Sequence, residues 1–144
     1  MKLKEVLQAK GGETLTVDPD SRVADAVRLM SEHRVGSVLV TNADNAPVGI
    51  FTERDVLNLL AKQGPDISDL VVRDVMTTNL VVAEPEMPLD DTLALITRKR
   101  CRHIPVLEQG RVLGIVSIGD LVNAKLQEAE FEVESLREYI SIHY

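Results

Sequence analysis

The 144 residues contain one cysteine, no tryptophan, two phenylalanines and two tyrosines. A lone thiol, Cys101, can neither close an internal disulfide nor share a zinc site with a second thiolate. With so few aromatic side chains, the core must be aliphatic. No run of about 18 apolar residues is present, and no charged and apolar leader pattern opens the chain. These absences predict a soluble, cytoplasmic protein with no membrane partner. The net charge of −7 works against nucleic acid as a general partner, because such binders carry a basic face. His33, His103 and His143 lack metal-ligand spacing, so no metal site is assigned. Cys101 and His103 would share one face of a strand, but no third group is there to orient them. The sequence therefore offers no catalytic residue and is not read as an enzyme. Cys101 stands where the first half of the chain has Val35, and is read as a small buried apolar residue.

What the chain does contain is a repeat. Val48-Gly49-Ile50-Phe51-Thr52-Glu53-Arg54-Asp55 returns as Leu113-Gly114-Ile115-Val116-Ser117-Ile118-Gly119-Asp120. Asp18-Pro19 returns as Glu84-Pro85, 66 residues on, and the closing aspartates are 65 apart. The one-residue loss is assigned to the turn, Asn42–Ala46 in the first copy and the shorter Glu108–Gly110 in the second. Val23, Ala26, Val27 and Met30 follow the helical period, and Leu89, Thr92, Leu93 and Ile96 repeat it. Asp20 or Ser21, and Pro88, are the expected start signals.

The expected elements are a helix over 1–10, a strand Thr14–Val17, a helix over 22–33, and strands Ser37–Thr41 and Val48–Phe51. A helix opening at Thr52-Glu53-Arg54-Asp55 and ending near Lys62 completes the first unit. The second unit repeats this with a strand Leu80–Val82, a helix over 88–99, strands His103–Leu107 and Val112–Val116, and a helix from about Ile118. A short helix is expected within Asp69–Met76, as in residues 1–10. Beyond the second unit, Ala129, Val133, Leu136 and Ile140 form a stripe, with Phe131 and Tyr139 nearby, that calls for a neighbour or a second chain. The divisions are 1–66, the first helix and repeat; 67–127, the linker and second repeat; and 128–144, a C-terminal helical extension.

Two β-α-β-β-α units, each closed by Gly, two apolar residues, Thr or Ser, two variable residues and Asp, resemble a tandem pair of CBS (cystathionine β-synthase) domains. Arg102-His103-Ile104-Pro105-Val106 on the second middle strand adds to the resemblance, which runs from about Gly11 to Leu126 and is closest to stand-alone two-CBS proteins. It implies an α+β fold of two pseudo-symmetric repeats packed sheet to sheet. It also implies two clefts for adenosine-containing ligands (AMP, ADP, ATP, NAD or S-adenosylmethionine), a homodimer, and regulation of a partner effector protein that the sequence does not identify.

The residues suit such a ligand. Asp55 and Asp120 can each accept from both ribose hydroxyls through charge-assisted bonds; the plainer reading is that each favours a helix N-terminus. Thr52 and Ser117 lie three residues earlier and can cap those helices as well as reach a ligand hydroxyl or phosphate. By the resemblance, Val17 and Pro105, with Val38 and Ile104 beside them, wall the adenine, although a core role serves them equally. The resemblance also implies that Arg102 and His103 reach phosphates, Arg through its planar fork, and Arg54 is another candidate. Arg98 and Arg100 are expected to face solvent. The positions equivalent to Arg102-His103 are Gly36-Ser37, so the clefts differ. By the resemblance, Asp55 is paired with Arg102 and His103, and Asp120 with Ser37. The competing reading is a purely structural or dimerisation module with no ligand.

Overall fold

The computed structural model describes residues 1–143. Its elements run α1 Leu3–Lys10, β1 Thr16–Val17, α2 Val23–His33, β2 Ser37–Thr41, β3 Pro47–Thr52, α3 Glu53–Gln63, α4 Val72–Val75, α5 Leu89–Lys99, β4 His103–Glu108, β5 Arg111–Ser117 and α6 Ile118–His143. β1 pairs parallel to β2, and β2 antiparallel to β3, in one sheet; β4 and β5 form an antiparallel second sheet. Gln109 and Gly110, both with positive φ, make the tight turn between β4 and β5. Two central residues at positive φ match the right-handed twist of the flanking strands.

The amphipathic stripes set the layers. Val23, Ala26 and Met30 of α2 are buried with Val38, Val40 and Phe51 in the first core. Leu89 and Ile96 of α5 are buried with Ile104, Val106 and Val116 in the second. The sheets meet through Leu39, Ile50 and Ile115, with Leu80 and Val112 at the margins.

The short helices are exchanged between the units. α1 precedes the first unit but buries Leu3 and Val6 in the second core. Its backbone is fixed there: Leu3 N donates to Met87 O at 3.0 Å, and Leu89 N to Met1 O at 2.8 Å. Lys2 and Lys4 both reach Glu86, at 2.7 and 2.9 Å. These hydrogen bonds and charges hold the Glu86 carboxyl at a pKa of about 2. α4 precedes the second unit but buries Val72 in the first core. Val72 N donates to Ser21 O, and Val23 N to Leu70 O, both at 2.8 Å.

Three local expectations change. Leu80–Val82 is not a strand; the contact with β4 shrinks to a parallel bridge between Ala83 and Val106. The cause lies upstream, where Thr77 and Ile50 exchange both backbone bonds at 2.9 Å. The chain is thus tied to the first sheet's edge and reaches the second only at Ala83. α2 starts at Val23, two residues after Ser21, with Arg22 as its cap and no side-chain capping bond. Arg22 is instead bridged to Val71, which keeps residues 21–22 extended. Pro88 does cap α5. Cys101 is only partly buried, at the edge of the second core. Burial pushes its thiol pKa up, which disfavours the reactive thiolate.

Candidate functional site

Each repeat motif ends as a strand running into a helix, and the turn closes with a reciprocal cap. At α3, Asp55 N donates to Thr52 Oγ1 at 3.3 Å and Thr52 N donates to Asp55 Oδ2 at 2.9 Å. At α6, Asp120 N donates to Ser117 Oγ at 3.1 Å and Ser117 N donates to Asp120 Oδ2 at 2.9 Å. The first helical N–H of each helix is satisfied from the neighbouring strand's entry, Glu53 N by Gly36 O at 3.0 Å and Ile118 N by Arg102 O at 2.8 Å. Both hydroxyls are thus N-caps, and the plain structural role of the two aspartates is real. Thr52→Ala and Ser117→Ala should each lower unfolding free energy by about 1 kcal/mol, measured by urea denaturation.

The surroundings of the two aspartates differ. Asp120 opens onto a cleft of about 1200 Å³ built from both units. Ser37, Arg102, His103, Ser117 and Asp120 of the predicted set line it, with Glu53 and Arg34. Thr52, Arg54, Asp55, Val17 and Pro105 do not line this cleft. Asp55 Oδ1 accepts instead from Thr77 Oγ1 at 3.1 Å, and its Oδ2 from Thr52 Oγ1 at 3.1 Å. Arg54 is exposed on the first turn of α3. Val17 packs against the first core, and Pro105 is buried opposite Ile115.

The expected pairing of Arg102 and His103 with Asp55 is therefore corrected: both lie on the Asp120 cleft. The β4–β5 register is the reason, since His103 stands opposite Ser117, three residues before Asp120. The entries of β2 and β4 then meet, so that a Cβ added at Gly36 would lie 3.3 Å from His103 Nε2 and 3.1 Å from Glu53 Oε1. Arg98 and Arg100 are exposed, as expected.

Sequence reasoning missed Lys10. From the last turn of α1, its Nζ donates to Asp120 Oδ2 at 2.8 Å and to Ile115 O at 2.9 Å. The partners lie 110 residues apart, and only the exchange of α1 onto the second unit brings them together. Burial of the Asp120 carboxyl works to raise its pKa, but the bonds and charge from Lys10 and Ser117 outweigh it, and the carboxyl lies below its ordinary value. His103 is held below its ordinary value by burial; Glu53 and Asp120 pull it up, while Lys10 and Arg102 push it down.

The cleft thus combines apolar walls, including Val27, Met30 and Ile118, with the Asp120 carboxylate at the start of α6, the Glu13 and Glu53 side chains, and several cations. Flat apolar rings, vicinal hydroxyls and anionic groups each find a complement there. Among the described residues no cluster of His, Cys, Asp and Glu could hold a metal, and no helix is long and apolar enough to cross a membrane.

Known proteins resemble this chain in sequence and fold. The CBS domain profile matches residues 12–62 and again 72–127. The Arabidopsis thaliana protein described as CBS domain-containing protein CBSX3, mitochondrial, is 36% identical over 150 residues, covering 99% of this chain and 73% of that one. The crystal structure of the CBS-domain containing protein ATU1752 from Agrobacterium tumefaciens aligns with a TM-score of 0.82 at 39% identity, over 87% of this chain and 99% of that chain. The crystal structure of CBSX2 in complex with AMP aligns with a TM-score of 0.73 at 27% identity, over 89% and 98% of the two chains.

Proposed function

The chain belongs to the CBS-domain family, and on that premise we propose that it is a non-catalytic regulatory module. It binds a phosphorylated adenosine ligand (AMP, ADP, ATP or NAD) in the Asp120 cleft and signals to a separate effector protein. The observation that carries this is the convergence of Asp120 and Ser117 from one unit with Ser37 from the other, beside Arg102 and His103. In this reading Asp120 takes the ribose hydroxyls, the apolar walls take adenine, and the cations take phosphate. A relative solved with AMP supports the ligand class. Asp55 and Thr52 form the second, pseudo-equivalent position, where Arg54 is the nearby exposed cation. Val17 and Pro105 serve as core in both. Because the ligand touches both units, it binds one relative disposition of them better than another, and that difference is what a switch requires. We place the module in the cytoplasm; cell fractionation checks this against the mitochondrial placement named for its relative.

Calorimetric titration with AMP, ADP, ATP, NAD and S-adenosylmethionine tests the reading. Saturable binding of a phosphorylated ligand is expected. Failure of all five would leave the dimerisation module as the function.

His103 adds a pH dependence. Its pKa lies below the ordinary 6.5, so the ring is neutral at pH 7 and gains a proton only as pH falls further. Phosphate favours the charged ring, so affinity for NAD, whose diphosphate keeps its charge over this range, should rise as pH drops below about 6.5. Folding has the opposite sign, because the group's stabilising contribution is present above 6.5 and is lost as pH falls through the folded value. Calorimetry at pH 7.5 and 5.5 should show tighter NAD binding at the lower pH, and His103→Gln should remove the difference.

The α6 tail favours self-association as an accompanying role. Val122, Leu126, Ala129, Val133, Leu136 and Ile140 alternate spacings of four and three, the seam spacing of a coiled coil. Leu126 and Leu136 are 57% and 61% exposed in the single chain. We propose a homodimer covering this seam. Light scattering should give a dimer at micromolar concentration and a monomer for Leu136→Glu.

A further inference from the structure

We propose that Lys10 is the specificity residue of the Asp120 cleft, selecting phosphorylated adenosine ligands against uncharged nucleosides; this rests on the nucleotide reading above. The carboxylate assigned to the ribose is already engaged. Lys10 Nζ lies 2.8 Å from Asp120 Oδ2, and that same oxygen accepts from Ser117 N at 2.9 Å. Asp120 Oδ1 carries no such bond, so a ribose that takes both carboxylate oxygens displaces the ammonium from Oδ2. A neutral nucleoside offers nothing in return, and leaves Lys10 with the Ile115 carbonyl alone. A phosphate supplies the counter-charge that Asp120 gives up, so Lys10 trades one anion for another.

The fold gives Lys10 a fixed base and a free end. Leu3 and Val6 anchor α1 in the second core, and Leu7 lies against Gly114, where an added Cβ would fall 2.7 Å from Leu7 Cδ2. Past Lys10, Gly11 and Gly12 have positive φ and open space where side chains would stand. These glycines line the cleft, so the four-carbon stem can swing toward a phosphate without moving the helix. The pair is partly exposed, with side-chain accessibilities of 38% for Lys10 and 24% for Asp120, so exchange of its partner is inexpensive. The other cations differ in placement. Arg34 and Arg102 line the cleft, but no hydrogen bond or ion pair joins either to Asp120. Among the described side chains, Lys10 is the one cation in a hydrogen-bonded ion pair with Asp120, and so it couples the ribose acceptor directly to ligand charge.

The test is calorimetric titration of the wild type, Lys10→Met and Lys10→Arg with AMP and with adenosine. In Lys10→Met, adenosine should bind more tightly and AMP more weakly, so the preference for AMP falls by at least about ten-fold. Lys10→Arg keeps the charge and should keep the preference. A preference within two-fold of wild type in Lys10→Met, with AMP binding intact, overturns the role of Lys10 and leaves the nucleotide reading standing. Loss of both ligands from the wild type itself overturns both.

Discussion

Asp120→Ala should weaken AMP binding by about thirty-fold or more. Hydrogen bonds to a charged group are worth about 1.5–3 kcal/mol each, and a ribose offers two. Against this stands the ion pair the ligand no longer has to break. Lys10–Asp120 is partly exposed, and such pairs contribute roughly 0.2–1 kcal/mol. The freed ammonium also adds a little attraction for phosphate. The ribose bonds win by about 2 kcal/mol, which is roughly thirty-fold in affinity. Asp55→Ala should behave differently. Both Asp55 oxygens are already used within the protein, by Thr77 and Thr52, so the main loss is the cap, about 1 kcal/mol of folding stability. Calorimetry on both variants makes the comparison. Equal loss of AMP affinity in the two would refute the placement of the ligand beside Asp120.

Leu3→Ala should lower unfolding free energy by about 2–5 kcal/mol, the usual range for truncating a fully buried leucine. Leu3 is 0% exposed, in one cluster with Leu89, Ile104, Val116 and Leu121. At about 2–4 °C per kcal/mol for a chain slightly larger than this one, Tm should fall by roughly 10 °C. The location of the damage is the sharper result. Amide exchange should accelerate in β4, β5 and α5, which share that core, before it does in β2 and β3. Leu3 lies only 13 residues before β1, so a reading from chain proximity expects the reverse. First loss of protection in β2 and β3 would show that α1 docks on the first unit.

The exchange of α1 and α4 also marks the limit of what the residues reveal unaided. The positions of Val23, Ala26 and Met30, with their repeats 66 residues on, identify the helices because 3.6-residue periodicity is a local property. The capping residues Thr52 and Ser117 are legible for the same reason, since their partners lie three residues away. The repeat itself implies two similar units, and comparison of the copies exposes the unlike Gly36-Ser37 and Arg102-His103. The strand expected at Leu80–Val82 does not form, because its local pattern is sound while a distant bond, Thr77 to Ile50, takes the backbone elsewhere.

The sequence by itself determined the two-unit architecture, through the repeat, and the two caps, because each cap depends on partners within one turn of chain. Tertiary structure alone decided that Arg102 and His103 stand beside Asp120, through the β4–β5 register. It alone decided that Lys10 reaches a carboxylate 110 residues away. Neither contact leaves a periodic trace in the chain; both follow from how two apolar faces and two exchanged helices are buried against one another.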